Sequence, residues 1–402
     1  MSLPYAGKNI VIGVTGSIAA FKVAGWVSTL AKAEAQVSVV MTKAAQKFIT
    51  PLTFSSLAGT KTHTGMFDNE SDEWMAHINL GRDADLIIVA PASAQTIARL
   101  AHGMSSDLLS TTVLASRAPV YICPAMNTRM YEHPATRENI ARLSQYGYQV
   151  IEPGVGMMAC KEEGQGRLPE WEDVDEVFQR ALTAHDLLGK KVLVTAGPTR
   201  EPIDPARFLS NRSSGKMGFS LAKAAFRRGA EVVLVAGPTN LADPIGVELV
   251  RVQTAQEMHD AVMRYAERAD IVIKSAAVAD YRAKSVYGEK VKKDKIGASL
   301  ELAKNPDILL ELGRRKREGQ ILVGFAAEST NLEDEGSRKL KAKNLDMIAV
   351  NNINSESTGF EVDSNQLLLI TPTGSESLPF ASKDRTADFL LDRVVQLTDS
   401  DR

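Results

Sequence analysis

With only two cysteines in 402 residues, Cys123 and Cys160, the chain cannot support a disulfide framework, and the two lack the paired spacing of a zinc site. If either matters, it matters as a thiol. No apolar run approaches the roughly 18 residues needed to span a bilayer, and the opening MSLPYAGKN has no basic stretch followed by an apolar one. A cytoplasmic protein without a membrane partner is therefore expected. The formal net charge of −2 supplies no global field for nucleic acid, so the lysine-rich KVKKDK at 290–295 is either solvated surface or a local site.

Two nucleotide fingerprints are also missing. GxGxxG follows neither first strand, which disfavours NAD and a reductase built on two Rossmann units. In RFLSNRSSGKM (207–217), a P-loop would need glycine where Ser210 stands and a magnesium-holding hydroxyl where Met217 stands.

What is present is 44% hydrophobic and 24% charged, enough for two ordinary globular domains. KNIVIGV reads as a buried strand, TGS as a turn and IAAFKVAGWVSTLAKA as a helix. QVSVVMT (36–42), ADLIIVAPA (84–92) and PVYICPA (119–125) are further strands, with helical TIARLAHGM between them. The alternation predicts a parallel sheet covered by helices on both faces. It restarts at KKVLVTAG (190–197), followed by a long loop, helical GFSLAKAAFRRGA, the strand EVVLVAG, and later ADIVIKSAAVADY and GQILVGFAAES. WEDVDEVFQRALTAHDLLG reads as a closing helix and hinge, which puts a boundary near Gly189 and predicts two doubly wound α/β domains, 1–189 and 190–402.

In the first domain the single glycine of the turn, Gly16, with Ser17 beside it, suits one phosphate at a helix N-terminus rather than a dinucleotide, or is simply a tight turn. His77, between apolar neighbours, reads as a packed residue or a base. Asn127 reads as a turn cap or a substrate contact, and Cys160 as an inert thiol on a glycine-rich loop or a reactive one. Taken together, TGSIAAFK, MAHINL, APASAQTIARLAHGMSSDLL, PAMNTRMY and MACKEEGQGRL resemble the flavin-containing cysteine decarboxylases over nearly all of residues 6–175. Ser17 is a departure, since some relatives carry a second glycine there.

The resemblance implies a flavodoxin-like fold, with FMN contacted by Gly16, Ser17, Ser93, Ser105 and Asp107. It also implies an oxidative decarboxylation in which the cysteine side chain of the substrate passes its hydride to FMN. A carboxylate leaves easily only when the remaining electrons are delocalised, and the resulting thioaldehyde provides that sink. His77 would be the base or electrostatic partner, Asn127 would hold the substrate carboxylate, and Cys160 would donate a proton when the enethiolate is reduced, a task suited to a thiol with pKa about 8.5.

The second domain carries TAGPTREPIDPARFLSNRSSGKMG, KSAAVADYR, EKVKKDK, KNPDILL and GFAAES, and resembles the phosphopantothenate–cysteine ligase domain of bacteria. In this fused order the chain resembles the bifunctional bacterial enzymes of coenzyme A synthesis. The implied reaction activates a carboxylate as an acyl-cytidylate with CTP and magnesium, then makes an amide with cysteine. Asn211 would hold the acyl-cytidylate and Lys290 the triphosphate, with Lys292 and Lys293 accessory or merely exposed. Arg207, Ala277, Asp280, Pro306, Asp307, Ile308, Leu309, Phe325, Lys339 and Lys343 would surround substrate and CTP. No metal-ligating side chain is assigned. A homo-oligomer is implied, with decarboxylase trimers and ligase dimers combining into a dodecamer. The reading from a different class is a flavin-binding regulatory or interaction protein, against which the presence of His77, Asn127 and Cys160 counts.

Overall fold

In the computed structural model, which describes residues 4–67, 75–159, 161–290, 299–328, 330–352 and 362–400, the chain divides into two compact units, Met1–Thr183 and Ala184–Arg402. Cys160 and residues 291–298, which include Lys292 and Lys293, lie outside the described residues.

The first unit is built on five parallel strands, β1 (Asn9–Val14), β2 (Gln36–Met41), β3 (Leu86–Ala92), β4 (Val120–Pro124) and β5 (Gln149–Val150), in the order 2-1-3-4-5. Their continuous apolar runs reflect burial on both faces. Ile10, Ile12, Val14, Ile88 and Tyr121 face one helical layer, while Val11, Ile87, Val89 and Ile122 face the other. The expected closing helix forms at Trp171–Leu182, and Trp171 and Phe178 stack edge-on with Trp26 at ring-centre distances of 5.8 and 6.1 Å. The expected glycine-rich loop is instead a short antiparallel hairpin, β6 (Gly154–Met157) and β7 (Glu163–Arg167). Gly166 sits at φ 153°, and a Cβ there would stand 2.2 Å from the Met126 carbonyl, so only glycine lets the hairpin approach the loop after β4.

The second unit centres on an eight-stranded sheet. Six parallel strands, β8 (Lys191–Ala196), β11 (Glu231–Ala236), β12 (Glu248–Arg251), β13 (Ile271–Lys274), β16 (Ile321–Glu328) and β17 (Met347–Asn352), are ordered β12-β11-β8-β13-β16-β17. Counted in chain order this is 3-2-1-4-5-6, the doubly wound arrangement of dinucleotide-binding folds. Two antiparallel edge strands, β19 (Leu367–Thr371) and β20 (Gly374–Ser377), extend it beyond the parallel sheet that was expected.

The expected long loop after β8 contains a hairpin, β9 (Arg200–Asp204) and β10 (Arg207–Ser210). A second hairpin pairs β14 (Tyr281–Ala283) with β15 (Leu302–Lys304), and β18 (Ser364–Asn365) pairs with β21 (Ala381–Ser382). Alternation along the strands again splits the core in two. Val194, Ile273, Val323 and Ala349 pack toward helices Lys216–Arg227 and Lys383–Ser400, whereas Leu193, Val272, Leu322 and Ile348 pack toward helices Ala255–Ala266, Ile308–Arg315 and Leu332–Ala342. Among the described residues, no helix is long and apolar enough to cross a membrane.

Candidate active sites

In an open parallel sheet, ligands bind beyond the carboxyl ends of the strands where the order reverses. In the first unit that point lies between β1 and β3, and one threonine fastens it. Buried Thr15 donates its hydroxyl to the Pro91 carbonyl at 2.5 Å and accepts from the Ser93 amide at 2.9 Å. This residue was not singled out in the sequence, where it looks like an ordinary turn hydroxyl. Thr15→Val keeps the shape and removes both bonds, stranding a buried carbonyl and amide. A loss of about 2 kcal/mol is expected, measured by denaturant unfolding followed on Trp26 and Trp171 emission.

Beyond this point opens a cavity of about 670 Å³ lined by Gly16, Ser93, Ser105 and Asp107, four of the five residues expected around FMN, together with Thr42 and Arg99. Asp107 is held firmly. It caps helix Leu108–Ala115 through Ser110 and pairs with Arg99 at 2.6 Å. Ser93 caps helix Ala94–Ala101. The volume and the ring of small polar residues fit a phosphorylated planar cofactor.

Ser17 faces a second cavity of about 440 Å³ with Phe21, Asn127, Met158 and Gly166. The Gly16–Ser17 turn thus contributes to both cavities. Asn127 Oδ1 accepts from the Arg129 amide at 2.9 Å, and its Nδ2 donates to Glu162 at 2.8 Å, so it does cap a turn while lining a cavity. The described residues of hairpin β6–β7 border this cavity on either side of Cys160. His77 lies on helix Ala76–Asp83 and lines neither cavity, and its Nδ1 is buried without a hydrogen-bond partner. Cys123 is fully buried in the core, where desolvation pushes its thiol far up, so it is inert.

In the second unit the order reverses between β8 and β13, and a threonine again bridges the point, buried Thr195 accepting from the Ala276 amide at 3.0 Å. Thr199 accepts from the Ala279 amide at 3.1 Å one turn on. The expected site residues fall into two groups on opposite faces of the sheet. On one face, a pocket of about 140 Å³ collects Ser213, Ser214 and Gly215 at the start of helix Lys216–Arg227 with Ala277 and Phe325. Gly215, at φ 81°, approaches Gly197 so closely that a Cβ would lie 3.3 Å from its Cα and 2.7 Å from Thr239. Asn211 is exposed, and its Nδ2 donates to the Ala277 carbonyl at 3.0 Å, which ties it to the rim.

On the other face, Asp307 caps helix Ile308–Arg315 by accepting from the Leu310 amide at 3.1 Å and pairs with Lys343 at 2.9 Å. Ile308 and Leu309 anchor that helix in the core behind it, and the half-buried Pro306 precedes the cap.

Lys274, at the end of β13, stands with this second group and escaped the sequence reading. Its ammonium donates to the Ala276 carbonyl at 3.0 Å. Burial first, then Lys343, lowers its pKa from the ordinary 10.5 to about 8, although Asp307 and Asp280 pull the other way. Because the folded pKa is depressed, the unfolded chain holds more protons between pH 8 and 10.5, and stability rises with pH across that window. Lys274→Met should therefore stabilise the chain near pH 7 by roughly 3 kcal/mol at most. The gain should fade as pH passes 10, as followed by thermal unfolding.

Arg207 and Lys339 are engaged elsewhere. Arg207 clamps the β9–β10 turn through the buried Asp204, and Lys339 pairs with Glu328. Asp280 and Lys290 are exposed. No group of three or more His, Cys, Asp or Glu side chains among the described residues could hold a metal.

Comparison with known proteins agrees with this two-part reading. The family model described as Flavoprotein matches residues 2–183, and the DNA/pantothenate metabolism flavoprotein C-terminal domain matches 187–397. The chain is 44% identical over 396 residues to the coenzyme A biosynthesis bifunctional protein CoaBC of Bacillus subtilis, covering 97% of each. It is 44% identical over 394 residues to that of Escherichia coli K12, again covering 97% of each. The solved C-terminal domain of a CoaBC protein is 41% identical, covers 54% of this chain and all of its own, and has a TM-score of 0.47. With this identity maintained across both units, the chain belongs to the family of coenzyme A biosynthesis bifunctional proteins CoaBC.

Proposed function

We propose that the chain carries out two consecutive steps of coenzyme A biosynthesis, joining cysteine to 4'-phosphopantothenate in residues 190–402 and decarboxylating the product to 4'-phosphopantetheine in residues 1–189. What carries this reading is the family membership, together with a separate crevice at the point of strand reversal in each unit.

A carboxylate is a poor acyl donor. Its oxygen attacks the α-phosphorus of CTP, the bond to the β-phosphate breaks, and pyrophosphate leaves. The cysteine nitrogen then attacks the acyl carbon, CMP leaves, and the ammonium gives up a proton. CTP would lie against Asp307, Lys343 and Lys274, with Lys290 reaching its phosphates, and phosphopantothenate would lie against Ser213–Gly215 on the opposite face. The two meet at the crest where Asn211 touches Ala277. Magnesium enters as the ion of the CTP complex, since a triphosphate needs charge neutralisation.

In the first unit, FMN would be held by Gly16, Ser93, Ser105 and Asp107, and when bound it supplies reversible two-electron chemistry. Asn127 orients the substrate carboxylate in the adjoining cavity, Cys160 delivers the proton of the final reduction, and His77 acts as base or electrostatic partner. A homo-oligomer is part of this reading, as the family resemblance implies. The full assembly in this reading is a dodecamer.

Release of pyrophosphate and CMP tests the ligase half. CMP should appear only when phosphopantothenate, cysteine, CTP and magnesium are all present, whereas pyrophosphate should need phosphopantothenate, CTP and magnesium but not cysteine, and pyrophosphate release without any need for phosphopantothenate would refute it. For the cofactor, the purified protein should absorb at about 450 nm and release FMN on denaturation.

A further inference from the structure

Helix Ile308–Arg315, which carries Asp307 as its cap, has 8 residues, too few to hold a helix without tertiary contacts. Ile308, Leu309 and Leu312 anchor it in the core. A histidine on the neighbouring helix Ala255–Ala266 ties it a second time. His259, with its side chain 17% exposed, sets Nε2 2.7 Å from Glu311 Oε2, in the first turn of the short helix, and Nδ1 2.9 Å from Asp260 Oδ1.

A carboxylate against each ring nitrogen decides the charge of the ring. Carboxylates only accept, and a neutral imidazole has one N–H, so one of the two contacts would press a lone pair against an anion. The imidazolium donates to both. Burial lowers the pKa of His259, but Asp260 and Glu311 outweigh it and hold the ring above the ordinary 6.5. In return His259, more than Arg315 or Arg314, holds the Glu311 carboxyl below its usual range. The surrounding charges keep both carboxylates in place. Gln256 donates to Asp260 at 2.9 Å with Arg264 nearby, and Arg315 pairs with Glu311 at 2.5 Å. Strands β8 and β11, on which the histidine's helix packs, present apolar Leu193 and Val235.

The tie leads directly to the nucleotide side of the second unit. The Glu311 amide donates to the Asp307 carbonyl at 3.1 Å, one turn back, and the Asp307 side chain pairs with Lys343. We propose that His259, as the imidazolium, is a positioning residue for CTP, pinning the first turn of helix Ile308–Arg315 and with it the Asp307–Lys343 pair. This rests on the ligase reading, in which CTP lies against that pair. Because the folded pKa of His259 is raised, the tie is complete below pH 6.5 and is lost as pH rises through the folded value. Lys274 beside Asp307 titrates at about 8, so the contribution of His259 is read from the ratio of variant to wild type rather than from either profile alone.

The test is titration calorimetry of CTP with magnesium into full-length wild-type protein, His259→Leu and His259→Arg, from about pH 6 to about pH 9. At the acid end His259→Leu should bind CTP about fivefold more weakly than wild type, and the ratio should fall toward one as pH rises. His259→Arg can donate to both carboxylates and does not titrate in this range. It should match wild type at the acid end and exceed it at the alkaline end. CTP affinity equal in His259→Leu and wild type at every pH, even with a lower Tm, would mark a histidine that only packs two helices and would overturn the proposal. A loss that does not change with pH would overturn it too. If the variants do not fold, the ring resonances of His259 in wild-type protein decide. By linkage CTP should raise its pKa further, and a ring that titrates at or below the ordinary 6.5, or that CTP leaves unmoved, would contradict the role. Wild-type protein that binds no CTP would instead overturn the ligase reading, which is distinct from a failure of His259.

Discussion

Asn211→Asp is expected to lower CTP-dependent amide formation by about 100-fold or more while leaving the flavin content and the decarboxylation of supplied phosphopantothenoylcysteine unchanged. Asn211 reaches the Ala277 carbonyl through its amide N–H at 3.0 Å. Aspartate has no donor to offer there and turns a carboxylate oxygen toward a carbonyl oxygen, so the tether becomes a repulsion. It also adds a negative charge at a rim that, in the proposed reaction, would accept an anionic acyl-cytidylate. Two like charges 4 Å apart at an effective dielectric of 20 repel by roughly 4 kcal/mol, so even a partly screened contact gives an effect of this size. Pyrophosphate and CMP release, measured with each substrate, checks it. Normal amide formation would remove Asn211 from the role assigned to it.

The second large effect concerns the flavin crevice. Gly16→Val is expected to weaken FMN binding by about 100-fold or more, leaving purified protein colourless, with CTP-dependent amide formation intact. Gly16 sits in the turn after β1, and a Cβ added there would stand 2.5 Å from the Ala44 Cβ, a contact side chains do not make. Relief requires moving the Thr42–Ala44 loop, which lines the same cavity. Because the ligase residues belong to a separate compact unit, loss of colour with retained CMP release would distinguish a damaged flavin site from a generally unfolded chain. A variant that stays yellow with full FMN occupancy would show that the turn does not bound the cofactor.

The parts legible in the sequence were those with a physical signal spanning many residues. Parallel strands buried on both faces must be continuous apolar runs, so IVIGV, LIIVA and VLVTA stood out, and the order of strands and helices predicted two doubly wound sheets. The hairpins at 154–167 and 200–210 did not stand out, because their strands are short, partly exposed and interrupted by glycine or proline. They read as loops.

Candidate site residues divide in the same way. Gly16, Ser93, Ser105 and Asp107 are scattered over some 90 positions and meet in one cavity because β1 and β3 are neighbours. Lys274 and Asn351 were missed because nothing in IVIK or AVNN distinguishes a strand end that faces a site from one that faces solvent. Their meaning comes from what the fold sets beside them, a lysine and two aspartates around Lys274 and, beside Asn351 at the end of β17, the pocket at the start of helix Lys216–Arg227. Thr15 and Thr195, the paired latches of the two crevices, are equally silent in the sequence.

The central claim is that one chain performs both steps. The measurement that tests it most directly is mass spectrometry of full-length protein incubated with 4'-phosphopantothenate, cysteine, CTP and magnesium. The account predicts 4'-phosphopantetheine, with carbon dioxide, CMP and pyrophosphate formed alongside it. An amide that keeps its carboxylate while FMN is bound would contradict the assignment of the first unit, and the absence of any amide would contradict that of the second.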